Sequence, residues 1–187
     1  MDRLDFSNLS MVGVDDRAAA YQAVSYLIQQ GHRKIAVLGG PATSHPSIMR
    51  RQGAQQAMED AGIRFEDKLY GLSNYDFESA YHAMNGLLAR RAEFTALFAM
   101  SDVIAFGAIR ALVSAGLRVP EDVSVIGFDG ITMSRYCVPV MTTIVQPSEQ
   151  IALQSIELLV RQIEHGTPAQ TVTLQPELQQ GESVRAI

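Results

Sequence analysis

Apolar runs of strand length, with little polar alternation inside them, recur along this chain between segments of helical periodicity. "KIAVLGG" (34–40), "FTALFAM" (94–100) and "VSVIGF" (123–128) are the clearest. A strand with one wet face alternates apolar and polar residues, so runs like these need cover on both faces. Between them lies "RAAAYQAVSYLIQQ" (17–30), with Ala20, Ala23, Val24 and Leu27 at helical spacing, caps on offer at Asp15 and Asp16, and Gly31 to end it. "SIMRRQGAQQAMEDAG" (47–62), "FESAYHAMNGLLARR" (77–91) and "SDVIAFGAIRALVSAG" (101–116) read as further helices. Strands alternating with helices of this length are βαβ units with right-handed crossovers. The expectation is an α/β fold: a doubly wound parallel sheet in three α/β/α layers, with central strands at 34–39, 68–72, 95–99 and 123–127. "MVGV" (11–14) and "MTTIV" (141–145) add strands, "SEQIALQSIELLVRQIEHG" (148–166) a helix, and the tail "AQTVTL…ESVRAI" one or two more strands.

Composition narrows the function classes. The 187 residues suit one domain, or one domain plus pieces of a second. The net charge is −5 and no basic run exceeds a pair of arginines, as at Arg50-Arg51, so the chain lacks the footprint of a phosphate-backbone binder. Its single cysteine, Cys137, allows no internal disulfide and no cysteine cluster for metal. The opening "MDRLDFSNLSMVGVDD" is too acidic, and its apolar run too short, for a signal peptide. No apolar stretch approaches the ~18 residues of a membrane span. These features lead us to expect a cytoplasmic protein without membrane contact.

In a doubly wound sheet, ligands bind beyond the carboxyl ends of the strands. That rule selects the loop "GGPATSHPSIMRR", then Asn74 and Tyr75, then Ser101 and Asp102, then Phe128 and Asp129. An arginine, an aromatic, a hydroxyl and carboxylates on one rim suit a polyhydroxyl ligand: the polar groups bond hydroxyls and the ring covers a C–H face. Each residue also has a plainer reading. Ser101 and Asp102 suit the cap and first turn of a helix. Asp129-Gly130 suits a tight turn. Tyr75 suits an ordinary rim position, and Arg50 a solvated helix charge like that expected of Arg51. His32, His45, His82 and His165 are scattered without ligand spacing and belong mostly on the surface. No phosphate loop follows the Gly39-Gly40 pair, and no nucleophile elbow or cysteine–histidine pair stands out, so an enzyme, a cofactor and a metal are not expected. The helix at 101–115 is apolar nearly all round, with Arg110 and Ser114 its clear polar residues past the first turn. A helix that flanks a sheet buries one side, so the other side meets a partner or a neighbouring segment.

Three stretches carry a family resemblance: "AVSYLIQQGHRKIAVLGGP", "FTALFAMSDVIAFGAIRALVSAGLRVPEDVSVIGFDGI" and "VPVMTTIVQPSEQIA…SIELLVRQIEHG", followed by "PELQQGESVR". In this order they resemble the sugar-responsive bacterial repressors of the lactose/galactose-repressor (LacI/GalR) type. The resemblance implies an N-terminal helix-turn-helix followed by a two-lobed domain like periplasmic binding proteins. By it, residues 1–14 resemble the end of the first lobe and the crossover. Residues 15–145 resemble the second lobe, 146–173 a helix and strand of the first, and 174–187 a return to the second. The DNA-binding head and most of the first lobe then fall outside these 187 residues.

By the same resemblance Arg50 is the ligand-clamping arginine and Tyr75 the aromatic that stacks on ligand. Ser101 stands for a polar residue that is often Asn, and Asp129 for the acid that bonds sugar hydroxyls. Val14 and Gln146 match crossover positions that line the cleft. Phe106 and Arg110, with Tyr136 and Cys137, match the dimer contact. The family often has two acids after "GF", whereas here Gly130 follows Asp129. The resemblance thus implies the effector-binding and dimerisation part of a transcriptional regulator. It takes a sugar or related small molecule, forms a homodimer, and meets DNA only through its head. A periplasmic sugar-binding protein of a transporter, or an α/β enzyme, are the alternatives.

Overall fold

The computed structural model describes residues 9–91 and 93–187. What the resemblance implies for residues 1–8 lies outside them. The chain divides into two compact units, one holding residues up to Asp15 with Gln146–Glu177, the other Asp16–Val145 with Leu178–Ile187.

The larger unit is built on a six-stranded sheet. Its strands are β2 (Ile35–Gly39), β3 (Tyr70–Leu72), β4 (Ala96–Ala99), β5 (Ser124–Asp129), β6 (Thr142–Val145) and β8 (Glu177–Gln179), in the order β3-β2-β4-β5-β6-β8. The pairs from β3 through β6 are parallel. Ala36, Leu38, Leu97, Phe98, Val125 and Ile126 are all fully buried, which is why these strands are continuously apolar. The helices α1 (Asp16–Gln29) and α2 (His45–Asp60) pack together, as do α3 (Phe77–Ala89) and α4 (Asp102–Ser114), giving three layers. Each pair meets at a glycine. A Cβ on Gly53 would lie 2.0 Å from the Arg17 carbonyl oxygen, and one on Gly107 would lie 2.5 Å from that of Phe77.

Strand order reverses between β2 and β4. After β2 the chain steps to β3 on one side, then crosses to β4 on the other. This is the switch point at which doubly wound sheets open a crevice beyond their carboxyl ends.

The smaller unit pairs β1 (Met11–Val14) with β7 (Thr171–Leu174) in parallel, beside α5 (Ser148–His165). Ser10 binds it together: its N–H and hydroxyl donate to Gln162 Oε1 and its oxygen accepts from Gln170 N–H. Only Leu158 of α5 is buried, while Leu153, Ile156, Leu159, Val160 and Ile163 are exposed.

Several expected bounds move. Residues 67–69 form a 3-10 turn, so β3 starts at Tyr70 rather than at 68. Strand β5 runs through Asp129, whose Cα pairs with Val145. Helix α2 starts at His45, ahead of Ser47, because Pro46 fits a first helical turn where no N–H is needed. Val14 pairs with Leu174, which carries the smaller unit past 173. Residues 182–187 make no strand. They clamp the sheet through single bonds instead: Ser183 donates to Val125 O and accepts from Thr142 N–H, and Ile187 N–H donates to Gln30 O.

Truncating the buried centre of β4 tests this packing. Phe98→Ala is expected to cost about 3–5 kcal/mol, read from urea unfolding.

Candidate functional site

Arg50 projects from α2 at the switch point and is buried, with 6% of its surface exposed. A guanidinium taken out of water needs partners. Its Nε donates to Asp16 Oδ1 at 2.7 Å, and its Nη1 donates to the Met100 carbonyl just past β4. The same Nη1 reaches Asp129 Oδ1 at 3.4 Å. The Cζ lies 3.6 Å from the centroid of the Phe128 ring, a cation–π contact in a dry setting. The end of β5 therefore supplies both a carboxylate and an aromatic face to one arginine.

Asp129 has φ 105 and Tyr75 has φ 61; with Arg91 they are the non-glycine residues of positive φ among those described. Such a backbone costs on the order of 1–3 kcal/mol and persists where its surroundings over-determine it. Tyr75 lies against the backbone of Gly40, where a Cβ would come 2.2 Å from the ring. Its hydroxyl is buried and has no hydrogen-bond partner among the described residues. Gly130 follows with φ 70, and a Cβ there would sit 2.7 Å from the Val145 Cα. A second acid after Asp129 therefore does not fit this turn.

Of the residues selected from the sequence, the structure brings Arg50 and Asp129 into contact and sets Tyr75 against the Gly40 loop. Ser101 caps α4, accepting from Ile104 N–H at 3.1 Å. Asp102 is a correction: read as a rim residue, it is fully buried beneath the rim. Val14 ends β1 and Gln146 follows β6, both in the smaller unit. Phe106 stacks on Phe77 with centroids 6.2 Å apart, Arg110 is exposed, and Tyr136 is 78% exposed. The Cys137 thiol donates to backbone carbonyls of its own turn. Among the described residues no cluster of His, Cys, Asp or Glu could hold a metal ion.

Sequence reasoning missed Asp16 and Phe128 as partners of Arg50. Asp16 read as a helix cap, and Phe128 was selected as a rim residue but not paired with Arg50. It also misplaced His32, which is buried between the Thr95 hydroxyl and the Arg185 carbonyl. A cavity of about 290 Å³ opens between α2 and β3, lined by Ser47, Arg51, Gln52 and Tyr70 among others. It includes neither Arg50 nor Asp129, so concavity alone does not mark the polar cluster.

The periplasmic binding protein-like domain family matches residues 24–184. The chain belongs to this family, in the form carried by LacI-family transcriptional regulators. The HTH-type transcriptional regulator MalR of Clostridium butyricum is 38% identical over 174 residues, covering 93% of this chain and 52% of that protein. A transcriptional regulator CelR–cellobiose complex superposes with TM-score 0.89 at 33% identity, covering 95% of this chain and 54% of the other. A LacI-family regulator from Enterococcus faecium with bound ribose gives TM-score 0.88 at 28% identity, covering 100% and 68%. The chain spans about half the length of the curated relatives it matches. No helix among the described residues is long and apolar enough to cross a membrane.

Asp102 gives the site a pH signature. Burial, and then the charge of Asp129, push its carboxyl up to about 6, against hydrogen bonds from Thr143, Ile131 and Gly130 that favour the charged form. Between 3.8 and about 6 the folded protein holds a proton that the unfolded chain has released. Stability contributed by this group therefore falls as pH rises through that window and is level above it. Unfolding free energies of wild type and Asp102→Asn, read from urea titrations from pH 4 to 7, are expected to diverge with rising pH, by on the order of 2–3 kcal/mol.

Proposed function

We propose that this chain is the effector-binding and dimerisation part of a LacI-family transcriptional regulator, and that it binds rather than catalyses. The observation that carries this reading is the buried Arg50, aimed at a left-handed Asp129 at the sheet's switch point. Arginine N–H groups donate to hydroxyl oxygens, the carboxylate accepts from hydroxyl protons, and Tyr75 presents a ring to C–H surface. The class of effector is therefore a sugar or sugar derivative, in line with the cellobiose complex and the bound ribose of two structural neighbours. Ser101 is assigned to the same rim. Val14 and Gln146 are assigned to the crossovers, with the smaller unit as part of a first lobe and the larger unit as a second. Effector then acts by favouring one arrangement of two lobes, which requires different affinities for the two arrangements. DNA contact falls to an N-terminal head outside these 187 residues, in keeping with a net charge of −5. The relatives are bacterial regulators, and a cytoplasmic setting is part of this reading.

Isothermal titration against a sugar panel tests it. The 187-residue chain is expected to bind one class of sugar weakly and saturably, and Asp129→Ala to abolish the heat. Binding tighter than about 1 μM by this chain alone would contradict a cleft with one wall.

The dimer is assigned to the face of α4 and the turn after β5. Val103, Phe106, Arg110 and Val113 lie along one stripe of α4, and Val113 is 53% exposed. Tyr136 and Val138 stand out from the turn at 78% and 94% exposed. Light scattering at tens of micromolar is expected to give a dimer or larger species, and Tyr136→Lys to lower the mass.

A further inference from the structure

Asp102, the first residue of α4, carries a carboxylate with no exposed surface. Such a group needs hydrogen-bond donors on both oxygens. Thr143 on β6 donates its hydroxyl to Oδ1 at 2.6 Å, and the Ile131 N–H donates to Oδ2 at 2.8 Å. The carboxylate rests on bare backbone of β5: a Cβ on Gly127 would lie 2.2 Å from its Oδ1. One side chain thus joins α4, β6 and the turn that leaves β5.

That turn is where the backbone is strained. Asp129 has φ 105 and Gly130 φ 70, two successive residues in the left-handed region. Arg50 holds the Asp129 side chain from one side at 3.4 Å, which is a long contact. The bond from Ile131 to Asp102 is charge-assisted, and such bonds are roughly twice as strong as neutral ones. It anchors the amide two residues after Asp129.

We propose that Asp102 is a positioning residue: its carboxylate grips the Ile131 amide, keeps Asp129 in its left-handed conformation against Arg50, and so ties the effector acid to the start of α4. This rests on Asp129 being the effector acid. The titratable groups that face Asp102 are Asp129 from β5 and the Cys137 thiol from the turn before β6. Protonating Asp102 removes the charge from the grip and is expected to slacken it in acid.

Nuclear magnetic resonance on the full 187-residue chain tests this without any sugar. The Ile131 amide proton is expected to titrate together with the Asp102 carboxyl carbon between pH 4 and 8. In Asp102→Asn that titration is lost, and the Asp129 amide–Hα coupling moves toward the value of extended backbone. Thr143→Val removes one donor and leaves Asp102 in place. There the shared midpoint moves up while the amide still follows it. An Ile131 amide that ignores pH in the wild type, an Asp129 coupling unchanged in Asp102→Asn, or an unmoved midpoint in Thr143→Val would each overturn the grip. A stability role alone does not predict the amide shift. A sugar panel that finds no ligand would count against the effector reading and leave this result standing.

Discussion

A guanidinium cannot be left alone in a protein interior, and the carboxyl rim of this sheet is organised around that constraint. Arg50 needs acids and a carbonyl within reach, and three separate segments bring them. Asp16 comes from the first turn of α1, Met100 O from the end of β4, and Asp129 from the end of β5. Phe128 closes the remaining side with its ring. Asp16 and Asp129 keep some contact with solvent, at 17% and 28% of their side chains. Neither carboxylate is therefore fully enclosed by its bond to Arg50.

The same logic operates one layer down, with the opposite charge. Asp102 is enclosed more completely than Asp129, has no cation against it among the described residues, and is satisfied by the Thr143 hydroxyl and the Ile131 amide. Burial therefore raises its proton affinity, whereas Asp129 faces Arg50. Two acids near one turn are thus differentiated by surroundings: one exposed to the rim, one shut beneath it. The small residues of the fold make this possible. Gly127 leaves room for the Asp102 carboxylate, Gly40 for the Tyr75 ring, and Gly53 and Gly107 let paired helices approach. The helix α4 is apolar nearly all round because the sheet takes one side and α3 a second. What remains exposed is a narrow stripe rather than half the helix.

Much of this was legible in the sequence, and the limits have physical causes. Continuous apolar runs identified the buried strands, because cover on both faces leaves no place for polar alternation. The rule for the carboxyl ends of strands selected Arg50, Tyr75 and Asp129, because strand direction follows from βαβ connection. Ser101 was open between ligand and cap, and the structure gives it the cap bond. The pairings of Asp16, Phe128 and His32 escaped because their partners lie far along the chain. Arg50 is 34 positions from Asp16, and His32 is 153 from the Arg185 carbonyl. No local period encodes such pairs.

By itself, then, the sequence determined the class of fold, the direction of the sheet and the rim on which polar side chains gather. These follow from local periodicity and from the chirality of βαβ crossovers. Only the tertiary structure decided which acids face Arg50, which acid is shut away, and why glycine stands at 130. Those outcomes depend on how much water each carboxylate keeps and on a Val145 backbone that leaves no room for a side chain at 130. Neither quantity exists until the strands are in register.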